Sequence, residues 1–336
     1  MDRFAIDDSF RPAFWLRGAH RQSVLPTLPL RRSAIEKRSL ALIAASRELL
    51  LDCGDGVVLQ GFHASPAARG RAVGSSVAVL LHGWEGSAES LYVLSLAAQL
   101  FEQGYEVVRL NLRDHGATHH LNRDIFHSCR LTEVVGAIAA LQHQFAKARL
   151  VLAGYSLGGN FMLRVAAAAP AAGLRVAHVV AISPLLDPAH TMQVLERRWS
   201  LYHGYFVLKW SRSLLKKQAA WPALYQLEPL LRSRNLRAMT RDLVLQYTDF
   251  PNVESYFAGY AITGARLAEL TVPSTIIAAL DDPIIPAADL SRLAMPDSLR
   301  VVLTRRGGHC GFLPTLGGVS WANGIALQAL GSNSLC

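Results

Sequence analysis

Ser156 sits in Gly154-Tyr155-Ser156-Leu157-Gly158, directly after the apolar run Leu150-Val151-Leu152-Ala153. A serine hydroxyl is a weak nucleophile until a turn lifts it clear of the backbone and a base takes its proton. Glycines two positions to either side remove the Cβ atoms that would collide in a sharp strand-to-helix turn, so the pentapeptide reads as a nucleophile elbow. The pattern is short, and it needs a base, an acid to orient that base, and two N–H donors for the oxyanion.

Candidates for these partners follow in the order serine, aspartate, histidine. Asp281-Asp282-Pro283 comes after the apolar run Ser274–Leu280, and Arg305-Arg306-Gly307-Gly308-His309 comes after Leu299–Thr304. Among twelve histidines, His309 stands apart because two glycines precede it and permit a tight loop. Asp281 and Asp282 compete for the acid. Asp282, four positions before Pro286, is preferred, which leaves Asp281 to face away or to pin the loop. The oxyanion donors expected are the backbone amides of Leu157, just after the nucleophile, and of Trp84 in His82-Gly83-Trp84-Glu85-Gly86. His82, ending a strand, is expected to brace that loop.

A second cluster, Asp114, His115, His119, His120 and His127, invites a metal hypothesis. It lacks the regular ligand spacing of a zinc framework. The expectation is therefore no metal, and a polar rim loop held by an Arg113–Asp114 pair.

Positioning these side chains requires strands that end together. Short apolar runs alternate with helical patterns, the signature of a mostly parallel sheet covered on both faces. Eight strands are expected, at Glu48–Cys53, Val57–His63, Val77–His82, Tyr105–Asn111, Arg149–Ala153, His178–Ser183, Ser274–Leu280 and Leu299–Thr304. Gly54-Asp55-Gly56 makes the first two an antiparallel hairpin. Leu131, Val134, Val135, Ile138, Leu141 and Phe145 recur at helical spacing. The alternation breaks between 185 and 267. The domain reading is an arm at 1–46 packed on the core, a core of 47–184 and 268–336, and a helical cap inserted at 185–267. Within the cap, Trp199, Phe206 and Trp210 are candidates to line a substrate tunnel. Trp199, Phe206, Trp210 and Leu214 together would also suit an apolar face dipping into an anionic membrane.

The chain has 336 residues, 51% of them hydrophobic, enough for a large core. Net charge is +9, and much of the excess lies in the cap: Leu185 to Asp242 holds ten Arg/Lys against four acids. No nucleic-acid module interleaves these charges with aromatics. Four scattered cysteines form no C-x-x-C pair, which argues against a disulfide framework and fits a reducing, cytoplasmic setting. The acidic opening Met1–Asp8 resembles no export signal, and no apolar run has the length of a membrane span.

With these residues placed, the chain resembles the YheT-type branch of the α/β-hydrolases, cytoplasmic or membrane-associated esterases and lipases. Phe14-Trp15-Leu16-Arg17-Gly18-Ala19-His20-Arg21-Gln22-Ser23 is similar to the family's "W-L-R-N-P-H-x-Q-T", and His82-Gly83-Trp84-Glu85-Gly86-Ser87 to its "H-G-L-E-G-S". Gly154–Asn160, Asp281-Asp282-Pro283 and Gly307–Phe312 complete the set. The resemblance implies an α/β-hydrolase fold and a carboxylic-ester hydrolase acting through Ser156, Asp282 and His309 by way of an acyl-enzyme. It implies a small-molecule or lipid ester as substrate; such chemistry requires no metal or organic cofactor, and with the charge pattern above no nucleic acid partner is expected. The rival reading is a catalytically silent member of the fold that binds a ligand or lipid. Asn111-Leu112-Arg113-Asp114-His115-Gly116 departs from the family's "N-x-R-G-C-S-G", and the cap is basic. Both departures bear on the substrate range rather than on the chemistry.

Overall fold

The computed structural model of the protein describes residues 4–70, 74–197 and 201–331. Eight strands form one sheet: β1 (Ser46–Asp52), β2 (Val58–Ala64), β3 (Ser76–Leu81), β4 (Glu106–Leu110), β5 (Arg149–Tyr155), β6 (Val176–Ile182), β7 (Ser274–Ala279) and β8 (Leu299–Thr304). Their order is β1-β2-β4-β3-β5-β6-β7-β8. β2 runs antiparallel to both neighbours, and every pair from β4 onward is parallel. The expected hairpin joins β1 to β2, closed by the Cys53 amide donating to the Val57 carbonyl at 2.9 Å.

Period-two alternation divides the central strands between two cores. On β3, Val77, Val79 and Leu81 point to one core while Ala78 and Leu80 point to the other; on β5, Leu150 and Leu152 oppose Val151, Ala153 and Tyr155. Both faces are buried, so these strands read as continuous apolar runs, as parallel strands under two helical layers must.

The eleven α-helices of the described residues take up four positions. α1 (Ala19–Val24) lies against the loop after β8. On one face of the sheet lie α2 (Pro29–Ala45), α3 (Leu91–Glu102) and α11 (Trp321–Gly331), which share the second core. On the other face lie α4 (Leu131–Gln144) and α5 (Leu157–Ala168). Between β6 and β7 the chain makes α6 (Pro188–Arg197), α7 (Leu201–Ala220), α8 (Glu228–Leu231), α9 (Leu236–Tyr247) and α10 (Val253–Tyr260). Their apolar residues extend the α4–α5 core without a break. Asn235 and Asn252 cap α9 and α10 by accepting from the Ala238 and Ser255 amides, which sets where these two helices begin.

Two expectations fail in this region. Trp210 and Leu214 are 8% and 3% exposed and Phe206 is half-buried, so they form no membrane-facing surface. A stripe at helical spacing marks a core face as readily as an interfacial one. Arg113 and Asp114 do not pair. Arg113 grips Glu133 at 2.6 Å, while Asp114 takes Lys217 of α7 at 2.9 Å.

Candidate active site

The sheet has its topological switch at β3, flanked by β4 and β5, where ligands of open α/β sheets bind beyond the strand ends. Ser156 leaves the end of β5 and caps α5 with φ 53° and ψ −119°. A positive φ in a non-glycine residue costs of order 1–3 kcal/mol and persists only where the surroundings enforce it. Here they do. The Ser156 amide donates to the Ile182 carbonyl at 2.9 Å, and its carbonyl accepts from the Leu185 and Asn160 amides. A Cβ on Gly158 would overlap the His82 and Leu81 carbonyl oxygens, and one on Gly154 would overlap the Gly158 backbone. Both glycines are therefore required for α5 to start this close to β3.

The loop after β3 lies against the serine: a Cβ on Gly83 would stand 3.1 Å from Ser156 Cβ. The Gly83 amide is taken by the Tyr92 hydroxyl at 3.1 Å, whereas the Trp84 amide has no acceptor among the described residues. Leu157 opens α5, where the first amides have no intrahelical acceptor. His82 is fully buried. Its Nε2 accepts from the Leu112 amide, so Nδ1 carries the proton and donates to the Gly83 carbonyl at 2.7 Å. Burial keeps its pKa well below the usual histidine value, and the neutral ring ties the β3 loop to the β4 loop.

His309 and Asp282 meet, Nδ1 to Oδ2, at 2.9 Å. The other Asp282 oxygen accepts from the Ile284 and Ile285 amides at 2.8 and 2.9 Å, which fixes the carboxylate plane. Asp281 instead accepts from the Gly308 amide at 2.9 Å, tying its loop to the histidine loop. Burial lowers the His309 pKa, but the adjacent Asp282 charge outweighs it, and the net effect is a pKa well above the ordinary value. Cys310 extends the link toward the serine. Its amide meets Ser183 Oγ at 3.2 Å, one residue past the Ile182 carbonyl that holds the Ser156 amide. No hydrogen bond joins Ser156 Oγ to His309; such contacts commonly tighten only when substrate binds.

Sequence reasoning assigned no role to two residues that hold the histidine loop. Gln22 of α1, fully buried, donates to the Leu16 and Leu313 carbonyls and accepts from the Leu313 amide at 2.8 Å. Ser23 Oγ accepts from the His309 amide at 2.8 Å. The signal was the Trp15–Ser23 motif itself, visible as a pattern but silent on what it touches.

A cavity of about 800 Å³, partly open to solvent, is walled by Ser156, Leu157, Trp84, Phe206, Trp210 and apolar side chains of α6, α9 and α10. Trp84 stacks on Phe206 at 5.1 Å and meets Trp210 edge-on at 5.4 Å. Trp199 lies outside the described residues. In the histidine cluster, His115 Nδ1 donates to the Arg113 carbonyl and His119 bonds Ser213. Among the described residues, no group of three His, Cys, Asp or Glu is placed to hold a metal.

A family profile described as "alpha/beta hydrolase fold" matches residues 78–315. YheT of Escherichia coli (strain K12), whose name assigns it provisionally as an esterase, is 27% identical over 93% of this chain and 89% of its own. Human protein ABHD15 is 24% identical over 95% of this chain and 67% of its own. Among solved structures, the Pyrococcus furiosus esterase Pf2001 superposes with a TM-score of 0.55 at 12% identity, covering 82% of this chain and 88% of that one. A bacterial membrane phospholipase A superposes with a TM-score of 0.53 at 16% identity, covering 89% of each chain. At these identities the structures speak to the fold.

Proposed function

Because the chain belongs to the YheT-type branch of the α/β-hydrolase family, we propose that it is a serine hydrolase of carboxylic esters, with Ser156, His309 and Asp282 as its catalytic triad. The observation that carries this reading is the enforced positive φ of Ser156 between two obligatory glycines, at the sheet's switch point and beside an unpaired amide. A purely structural serine has no need of that strain.

In the proposed cycle His309 Nε2 takes the Ser156 proton as Oγ attacks the acyl carbonyl. Asp282 holds Nδ1–H and stabilises the imidazolium. The oxyanion is met by the Leu157 and Trp84 amides. Collapse expels the alcohol, which takes the proton back from His309, and a water activated by the same ring then releases the acid. The apolar wall formed by Phe206, Trp210 and the helices of 185–267, which we read as a cap, suits the acyl chain.

A fluorophosphonate probe tests the assignment. Wild type is expected to label and to hydrolyse p-nitrophenyl esters, and Ser156→Ala to do neither. Equal labelling of the two proteins overturns it.

A further inference from the structure

A second cavity, about 1180 Å³ and open to solvent, shares Trp84 with the first. The two differ in chemistry because α7 presents different faces to them. Phe206 and Trp210 line the apolar cavity; Lys209, Arg212 and Lys216, at spacings of three and four, line the polar one. Its remaining wall includes Ser87, Ser90, Tyr92, His115 and His119. We propose that this cavity receives the anionic, phosphate-bearing part of an amphiphilic ester whose acyl chain occupies the apolar cavity. The proposal rests on the esterase reading above and names its substrate class.

The charge balance supports an anion. Three carboxylates face the cavity, and each has its charge reduced or compensated. Asp114 is held by Lys217, and Glu89 by Arg109 at 2.7 Å. Burial, partly opposed by Lys209, pushes the Glu85 pKa up to about 8, so its carboxyl is largely protonated at pH 7. Lys209, Arg212 and Lys216 make no ion pair among the described residues. Lys209 donates only to the Glu85 carbonyl, at 3.2 Å, and lies over the Tyr205 ring. Like charges gathered on one helix face repel one another, and a bound anion relieves that cost.

The test compares two substrates of equal acyl length, a monoacylglycerol and its glycerol 3-phosphate counterpart, in wild type and in Arg212→Gln/Lys216→Gln. Wild type is expected to favour the phosphate ester about tenfold in kcat/KM, mainly through KM, and the variant to bring the ratio close to one. A wild-type ratio of one, or a ratio unchanged in the variant, overturns the proposal. Calorimetry with glycerol 3-phosphate and with inorganic phosphate measures the cavity without turnover. Binding lost in the variant while neither ester is cleaved shows that the esterase reading fails and the anion site stands; no binding of either ligand sinks the site. Binding that leaves phosphate-ester hydrolysis uninhibited overturns its role in substrate recognition.

Discussion

His309 is pulled two ways, by burial that favours the neutral ring and by Asp282 that favours the cation, and the aspartate prevails. Because its folded pKa is raised, its contribution to stability is fully present below about 6.5 and is lost as pH rises through the raised value. Activity runs the other way, since a general base must be neutral. We expect kcat/KM to climb with pH through an acid limb whose midpoint lies above 6.5. Asp282→Asn should move that limb to lower pH and cut kcat by roughly 10⁴, the cost of the wrong tautomer in such triads. A pH–rate profile that Asp282→Asn leaves in place removes the aspartate from its role. The elbow, the histidine and both aspartates were legible because their signals are local: glycine spacing, and loops directly after apolar runs. The partners of Arg113 and Asp114 were not. Neighbours in sequence diverge in space, and Glu133 and Lys217 lie on separate helices.

At the scale of elements, the strands were legible to within a few residues, since buried runs bounded by glycine or polar residues leave little freedom of phase. What α1 does was not, because hydrogen bonds across nearly the whole chain leave no periodic trace. Gln22→Ala would leave the Leu313 amide and two carbonyls without their buried partner, at a cost of about 1–3 kcal/mol per unsatisfied group. We expect a lowered urea midpoint together with a lowered kcat; a variant with wild-type kcat shows that the clamp serves stability alone. Gly158→Ala is harsher. The added methyl meets two carbonyl oxygens of the β3 end, so we expect loss of soluble protein, or of probe labelling if the fold survives. Normal labelling would mean that the α5–β3 approach is less tight than described.

Across the whole molecule, a buried polar latch ties α7 to the loop after β4. Lys217 reaches Asp114 and the Asn122 and Asp124 carbonyls, while Ser213, Trp221 and Tyr225 bond the same loop. Breaking such a pair from one side strands a buried charge. Lys217→Met should cost about 3–5 kcal/mol, and Lys217→Met/Asp114→Asn should recover much of it. Chemical denaturation of the three proteins checks this, and a single variant within about 1 kcal/mol of wild type refutes the latch as the tie. Composition showed that this region was basic. It could not show that one helix divides its cations between a latch and an open cavity, because that depends on what packs on each face. The clamp on the histidine loop has a consequence for synthesis. Ser23 and Gln22 leave the ribosome 286 and 291 residues before the backbone groups they hold, at His309 and Leu313. The nascent chain can complete its sheet strand by strand, yet its histidine loop stays unanchored until the two distant segments join. The site we propose can therefore be assembled only after both segments have been made.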